Sequence, residues 1–467
     1  MRPHRVLGLC LCAYLSPVIA APAAPAALSL NAAEVDAVVA EWLADTGAPS
    51  VSIAIVQGDR IVYARAYGAA SLAPSRAATA STRYAIDSLS KEFTAAALLL
   101  LAERGKLSLD DSVARWFPDL GAASAVSIRQ LLSHTSGIRD YWPQDFLTPA
   151  MTRPATAASI VAEWTRRPLD FEPGTDWQYS NTGYVLAGLI VEKASGLSLF
   201  DFQNRDLFAP LHMQHVTQYS PPRGQSSTLG EDDARGYTRN GLAPAVRAPL
   251  EGAGWLFGAA HLAMQPAEMA LWDISLMDRS LLSPASYEIE FAPIVLKNGH
   301  PENYAMGLEV ATAQGRLRIG HSGGGSGFLA DNRVWPKERV AIVVLTNNDW
   351  ATPSDLSDRL AFMVLPATTE EARARSLFRA MQSGNVNREL FTAVGNFHMT
   401  TAAWADLRSS LGGFGPARLI TLEHESRRGG MVTRRWKILC RNARLQAIER
   451  GYPGGKLDEF MVTKLAD

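Results

Sequence analysis

Cysteine is nearly absent from the chain. Its 467 residues hold three, and Cys10 and Cys12 fall in a short apolar run near the start, each preceded by leucine. That context argues against a lipoprotein-type cysteine. Cys440 then stands alone in the body of the chain, so neither an internal disulfide nor a cysteine-based metal site can form there. An excess of one charge is also missing: 45 basic and 46 acidic residues give a net charge of -1, which offers no global field for a polyanion or an anionic membrane and speaks against nucleic-acid binding. No segment reaches the roughly 18 uninterrupted apolar residues that a membrane span needs, so stable membrane insertion is not expected. A G-x-S-x-G elbow is lacking, which weighs against an α/β-hydrolase. With no H-E-x-x-H and no Cys/His cluster, no metal or other cofactor is expected.

What is present is ordinary globular material, 47% hydrophobic and 19% charged, long enough for two or three structural units. Arg2 and Arg5, an apolar run from Val6 to Leu15 and the small residues of SPVIAAPAAPA have the layout of a secretory signal peptide. Cleavage is expected after Ala20 or Ala26, with residues 1–26 as signal and linker and a secreted or periplasmic mature protein. Val35, Val38, Val39 and Trp42 then mark a helix between an Asn31 cap and Gly47. SVSIAIV and RIVYARAYG read as a hairpin turning at Gly58-Asp59. From about residue 88 to 290 helical patterns dominate; strand signals return at YAMGLEV, RLRIGHSG and RVAIVVLTNN, and TPSDLSDRLAFMVL predicts a last helix beside the first. One sheet built from both ends of residues 27–366, with a helical insertion, is the expected architecture. Beyond Pro366, one helix at EEARARSLFRAMQSG and four alternating stretches predict a small α+β domain over 367–467, read as a packing or lid-like module with a specific ligand-binding role as the alternative.

Three stretches could carry chemistry. In AIDSLSKEFTAAALL (85–99), Ser88 and Lys91 are three apart and share a helix face. Helix rules alone leave two readings open, a capped helix start with a solvated lysine, or a nucleophile with its base. The second requires Lys91 to lose its proton, from an unperturbed pKa near 10.4, through burial or a neighbouring cation. In WQYSNTGY (177–184), Asn181 reads as the cap of the following helix with Tyr179 packed beside it, or else as an amide that orients a substrate next to a proton-relaying phenol. In RIGHSGGGSGF (318–328), His321, Ser322, Gly323 and Gly324 end a strand. Glycines there are either a flexible connection or a place where backbone N–H groups face an oxyanion. Trp255 either lines a cleft or packs in the core, the commoner place for tryptophan.

Taken in order, Ser88-Leu89-Ser90-Lys91, Tyr179-Ser180-Asn181 and His321-Ser322-Gly323 resemble the three active-site motifs of the serine β-lactamase and penicillin-binding superfamily, of the type with class C β-lactamases, D-aminopeptidases and related esterases. LLSHTSGI (131–138) and PGTDWQYSNTGY (173–184) are similar to that family as well. The resemblance implies an antiparallel sheet flanked by terminal helices with a helical subdomain, an α/β (α+β) fold. It implies a Ser88 acyl-enzyme with Lys91 and Tyr179 sharing acid and base roles, an oxyanion hole from the Ser88 and Gly324 N–H groups, and substrate binding by Asn181, His321, Ser322, Gly323 and Gly324. The substrate would be a small molecule or short peptide. The family's third motif usually opens with lysine, and His321 stands there instead. The attraction for a substrate carboxylate is therefore weaker, and the resemblance to family members with histidine there implies esters and D-amino-acid peptides. A β-lactamase or DD-carboxypeptidase of cell-wall metabolism and a non-catalytic binding module are the alternatives, and the oligomeric state is open.

Overall fold

The computed structural model describes residues 30–144, 146–219, 230–313 and 315–465. The leader read in residues 1–26, with Cys10 and Cys12, lies outside them. Helix α1 (Ala32–Thr46) begins where the Asn31 side chain accepts the Ala33 N–H and ends at Gly47 in the left-handed conformation, the cap pair expected from sequence. Strands β1 (Ser50–Gln57) and β2 (Arg60–Leu72) form the expected hairpin. With β3 (Ser75–Ala77), β4 (Glu309–Ala313), β5 (Arg316–Gly325), β6 (Phe328–Trp335) and β7 (Val340–Thr346) they build an antiparallel sheet in the order β3-β2-β1-β7-β6-β5-β4. Strands from early and late sequence meet at β1 and β7, where Val51 lies opposite Thr346 and Gln57 opposite Val340.

Every residue of β1 is buried, because the sheet is covered on both faces. Helices α2 (Ser90–Glu103), α3 (Asn181–Ser195) and α4 (Pro266–Asp278) lie on one side, and α1 packs with α5 (Pro353–Val364) on the other. The two-residue strand period sorts one apolar run onto two cores. Val51, Ile53 and Ile55 join Trp42 and Leu356, whereas Ala54 and Val56 join Val343 and the helical side. α2 is enclosed from Ser90 to Leu101, so nothing on its first three turns is solvated.

Two features depart from the sequence reading. A small sheet of Tyr84–Ala85, Leu262–Met264 and Thr217–Gln218 crosses the helical region; its two- and three-residue strands are too short to leave a period. The strand expected over YAMGLEV starts only at Glu309. Gly307 turns the chain at φ 78, and a Cβ on it would lie 2.8 Å from the Lys91 carbonyl oxygen, so the segment packs onto α2 instead of extending the strand.

After Pro366, helices α6 (Thr369–Ser383), α7 (Ala393–His398) and α8 (Thr401–Leu411) accompany a four-stranded antiparallel sheet of β8 (Leu419–Arg428), β9 (Met431–Cys440), β10 (Ala443–Gly451) and β11 (Leu457–Lys464). Leu377, Phe378, Trp436, Ile438 and Leu445 belong to a core of its own.

Candidate active site

Asp87–Leu89 form a single 3₁₀ turn that runs directly into α2. Ser88 therefore does not cap the helix, and Leu89, which precedes it, makes no side-chain capping bond. Lys91 is fully buried. Its Nζ donates to Ser88 Oγ at 3.0 Å, Asn181 Oδ1 at 2.9 Å and the Ala259 carbonyl at 3.0 Å. The solvated-lysine reading is thus overturned: α2 is sunk in the core, and its lysine has only internal partners. The Tyr179 ring lies 4.8 Å from Nζ and the Tyr184 ring 5.5 Å, both within cation–π range. Beside Ser88, Asp87 holds φ 45, a region that side-chain-bearing residues seldom adopt. Burial, reinforced by nearby Glu251, pushes the Asp87 carboxyl well above its usual pKa.

In the second stretch the cap is Ser180, not Asn181. The Ser180 hydroxyl accepts the Gly183 N–H, and Asn181 is the first helical residue. A short serine side chain folds back onto its own helix turn, which leaves the longer amide free to point inward. Asn181 Nδ2 donates to Asp140 Oδ2 and its backbone N–H to Asp140 Oδ1, both at 3.1 Å. One amide thereby joins Lys91 to Asp140. His134, from LLSHTSGI, accepts the Ser180 N–H on Nδ1 at 3.1 Å and stacks on Tyr179 with ring centroids 4.2 Å apart. Burial, then the nearby Lys91 and His321, hold His134 well below the usual histidine pKa. It is neutral, as an acceptor must be.

The third stretch is strand and not a flexible connection. β5 continues to Gly325, paired with β6. A Cβ on Gly323 would sit 2.3 Å from the Ile86 carbonyl oxygen, and one on Gly325 would sit 2.5 Å from Asp87 Oδ1. Only glycine lets this strand end lie against the turn that carries Ser88. His321 is 4% exposed. Its Nδ1 donates to the Ser322 carbonyl at 2.5 Å, so Nε2 is the acceptor and takes the Tyr304 hydroxyl at 2.8 Å. Burial, followed by Lys91, lowers its pKa to about 3. Both ring nitrogens are therefore engaged within the protein, and the ring is neutral. Ser322 is exposed and donates to Glu309 Oε1 at 3.2 Å.

These stretches border one open cleft of about 810 Å³, with Ser88, Tyr179, His321, Ser322, Gly323 and Gly324 on its walls. Asp140, Glu309, Asp331 and Asp349 also line it, and among the described residues the lining has no arginine or lysine. Lys91 and Asn181 reach it from behind, through Ser88 and Asp140. Trp255 is not in this lining; its ring packs on Tyr141 at 5.6 Å and its Nε1 donates to the Arg153 carbonyl. No group of three or more His, Cys, Asp or Glu side chains is placed to hold a metal ion among the described residues. A half-buried serine with a buried amine behind it, next to strand-edge N–H groups, is what acyl transfer requires: a nucleophile, a proton acceptor and oxyanion donors. Asp140, Tyr304 and Glu309 carry no signal in the sequence, having no spacing relation to the motifs they serve. His134 does carry one, since it lies in LLSHTSGI.

A model of the Beta-lactamase family matches residues 35–362. Penicillin-binding protein 4* of Bacillus subtilis (strain 168) is 31% identical over 310 residues, covering 64% of this chain and 68% of that protein. Among solved structures, a D-stereospecific amidohydrolase from Streptomyces sp. aligns with TM-score 0.60 and 25% identity over 70% of this chain and 97% of its own. An octameric penicillin-binding protein homologue from Pyrococcus abyssi aligns with TM-score 0.62 over 94% of this chain and 97% of its own. At 20% identity, that last likeness is one of fold, and it extends past the region matched by the family model.

Proposed function

The chain belongs to the Beta-lactamase family, a serine hydrolase of the β-lactamase and penicillin-binding superfamily, and from that premise we propose an exported hydrolase that cleaves esters or D-amino-acid amides through a Ser88 acyl-enzyme. The observation that carries the proposal is the fully buried Lys91, with Nζ 3.0 Å from Ser88 Oγ. Lys91 must first give up one of its own protons; as the free amine it then takes the Ser88 proton while Oγ attacks the carbonyl carbon. The developing oxyanion is met by the N–H groups of Ser88 and Gly324, each worth about 10²–10³ in rate for such sites. Collapse expels the alcohol or amine, which receives its proton from the Lys91–Tyr179 pair. A water, deprotonated by the same pair, then releases the acid and restores Ser88. Asn181 holds Lys91 in place and orients the substrate, and Ser322 and Gly323 border the bound chain. His321 is given a holding role through Tyr304, because both of its nitrogens are spent.

The walls favour this substrate class over β-lactams and D-Ala-D-Ala termini, which carry a carboxylate beside the scissile bond. Asp140, Glu309 and Asp349 line the cleft beside Asp331, which Arg333 answers from behind, and among the described residues no lysine or arginine lines it, so a free amine suits it better than a carboxylate. The D-stereospecific amidohydrolase likeness supports the D-configured amide. Export rests on the layout of residues 1–26, and the class C type on the Tyr179-Ser180-Asn181 motif. Residues 27–366 form the hydrolase unit in this reading, with 367–467 an accessory domain. Labelling with a fluorophosphonate, read with a panel of p-nitrophenyl esters, D-aminoacyl amides and nitrocefin, tests it. Label and ester or amide turnover should vanish in Ser88→Ala. Equal labelling of both proteins would refute the proposal, and nitrocefin turnover faster than the esters would move the substrate to the β-lactams.

A further inference from the structure

The cleft does not end at Ser322. A second cavity adjoins it, sharing Glu309, Ser322, Asp331 and Ser354 with the first. This second cavity shares Arg318 and Arg333 with a third, which lies where the hydrolase sheet meets the C-terminal unit and is lined by Arg316, Arg375, Leu419 and Thr421 among others. Strand geometry explains the continuity. Alternate residues of β5 share a face, so Gly324, Ser322, Gly320, Arg318 and Arg316 form one row, and on β6 Asp331 stands opposite Ser322 and Arg333 opposite Gly320. From Gly324, beside Ser88, to Arg318 the row covers roughly 20 Å, the reach of about six extended residues.

Charge changes sign along the row. Near Ser88 the lining is acidic; at the far end it holds four arginines against Asp358 and Glu371. Two of the arginines are answered. Arg333 pairs with Asp331 and Asp358, and Arg316 with Glu338 and Glu371. Arg318 makes no ion pair or side-chain hydrogen bond among the described residues, although Asp331 lies near enough to feel its charge. Arg375 stacks its guanidinium 3.6 Å over Phe362 and donates to the Phe362 carbonyl, but its Nε is buried with no partner. Burial lowers the Arg375 pKa; Glu371 opposes this, while Arg316 and Arg379 add to it.

Building on the proposed Ser88 hydrolase, we infer that its substrate is an extended, peptide-like chain lying along β5, with a carboxylate about six residues from the scissile bond received by Arg318 and Arg375. The C-terminal unit supplies Arg375 and the β8 wall of that subsite, which makes it a specificity element. A carboxylate next to the scissile bond gains nothing there, since it would lie among the acids of the cleft.

The test compares matched substrates on the full chain. One pair of D-peptide esters ends about six residues from the scissile bond in a free carboxylate or a carboxamide; a second pair, amidated at the end, carries glutamate or glutamine at that position. p-Nitrophenyl acetate is the short reference. Wild type should prefer the carboxylate member by about tenfold in kcat/KM, the scale of one charge-assisted contact. Arg318→Gln and Arg375→Gln should each remove most of that preference. Preference within the first pair alone assigns the terminal carboxylate, and within the second alone the side chain. No preference in either pair, or equal loss on charged and neutral members in both variants, overturns the inference. Ser88-dependent turnover of the acetate in the same preparation separates that result from a failure of the hydrolase reading.

Discussion

Lys91 is a buried amine with three internal acceptors, and each of them constrains what its removal does. Losing it leaves the Asn181 and Ala259 oxygens without that donor, a cost of about 1–3 kcal/mol each where no water replaces it. It also removes the proton acceptor from Ser88, typically worth 10²–10⁴ in rate. Lys91→Met keeps the volume, so the variant should fold, with kcat for the best ester lower by about 10³ and KM little changed. A fall in KM affinity with kcat preserved would mean that Lys91 binds substrate instead of moving a proton. The spacings of Ser88 to Lys91 and of Tyr179 to Asn181 were visible in the sequence, each within one helical turn or one loop, but spacing left their roles open and the resemblance to a known family supplied the catalytic reading. Asp140 and Tyr304 were not, because tertiary packing alone brings them to Asn181 and His321.

Among the elements, β5 decides the geometry of the cleft. Its end could be read as a flexible glycine link, since sequence shows three glycines but not the neighbour that needs them. That neighbour is the Ile86–Ser88 turn, whose Ile86 carbonyl would lie 2.3 Å from a Cβ on Gly323. Gly323→Ala must therefore push β5 away from Ser88, and displacements near 1 Å cost about 10² in rate. We expect kcat/KM on p-nitrophenyl acetate to drop by that factor or more, with a lower Tm; unchanged turnover would show that β5 does not fix the Ser88 site. The helices and main strands were visible beforehand because their caps and periods are local: Asn31 and Gly47 bound α1 as expected. The short crossing strands and the cap at Ser180 were not, because they depend on what each segment packs against.

Across the whole molecule, buried ionisable groups set the pH range of stability. Glu290 is fully buried, neither carboxylate oxygen has a hydrogen-bond partner among the described residues, and burial raises its pKa to about 8. Glu92 and Asp273 are likewise raised, foremost by burial. Between the ordinary carboxyl range and about pH 8 the folded chain keeps the Glu290 proton that the unfolded chain has lost, so stability falls as pH rises through that window. His261 and His321, lowered to about 3 by burial, act on the other side: below about 6.5 the unfolded chain takes up protons the folded one refuses, and stability falls as pH drops. The two limbs leave a maximum in the mildly acidic range. Glu290→Gln should raise Tm at pH 9 by about 3 °C or more relative to wild type and much less at pH 5; the same shift at both values would remove Glu290 from the alkaline limb.

The central claim is that Ser88 carries the acyl group of the substrate. Acid-quenching a turnover reaction with a slowly deacylating ester within its first second, then mapping the adduct by peptide mass spectrometry, tests it most directly. The account predicts a single acyl adduct on the peptide that contains Ser88, absent from Ser88→Ala. An adduct on another residue, or one that survives in Ser88→Ala, would contradict it.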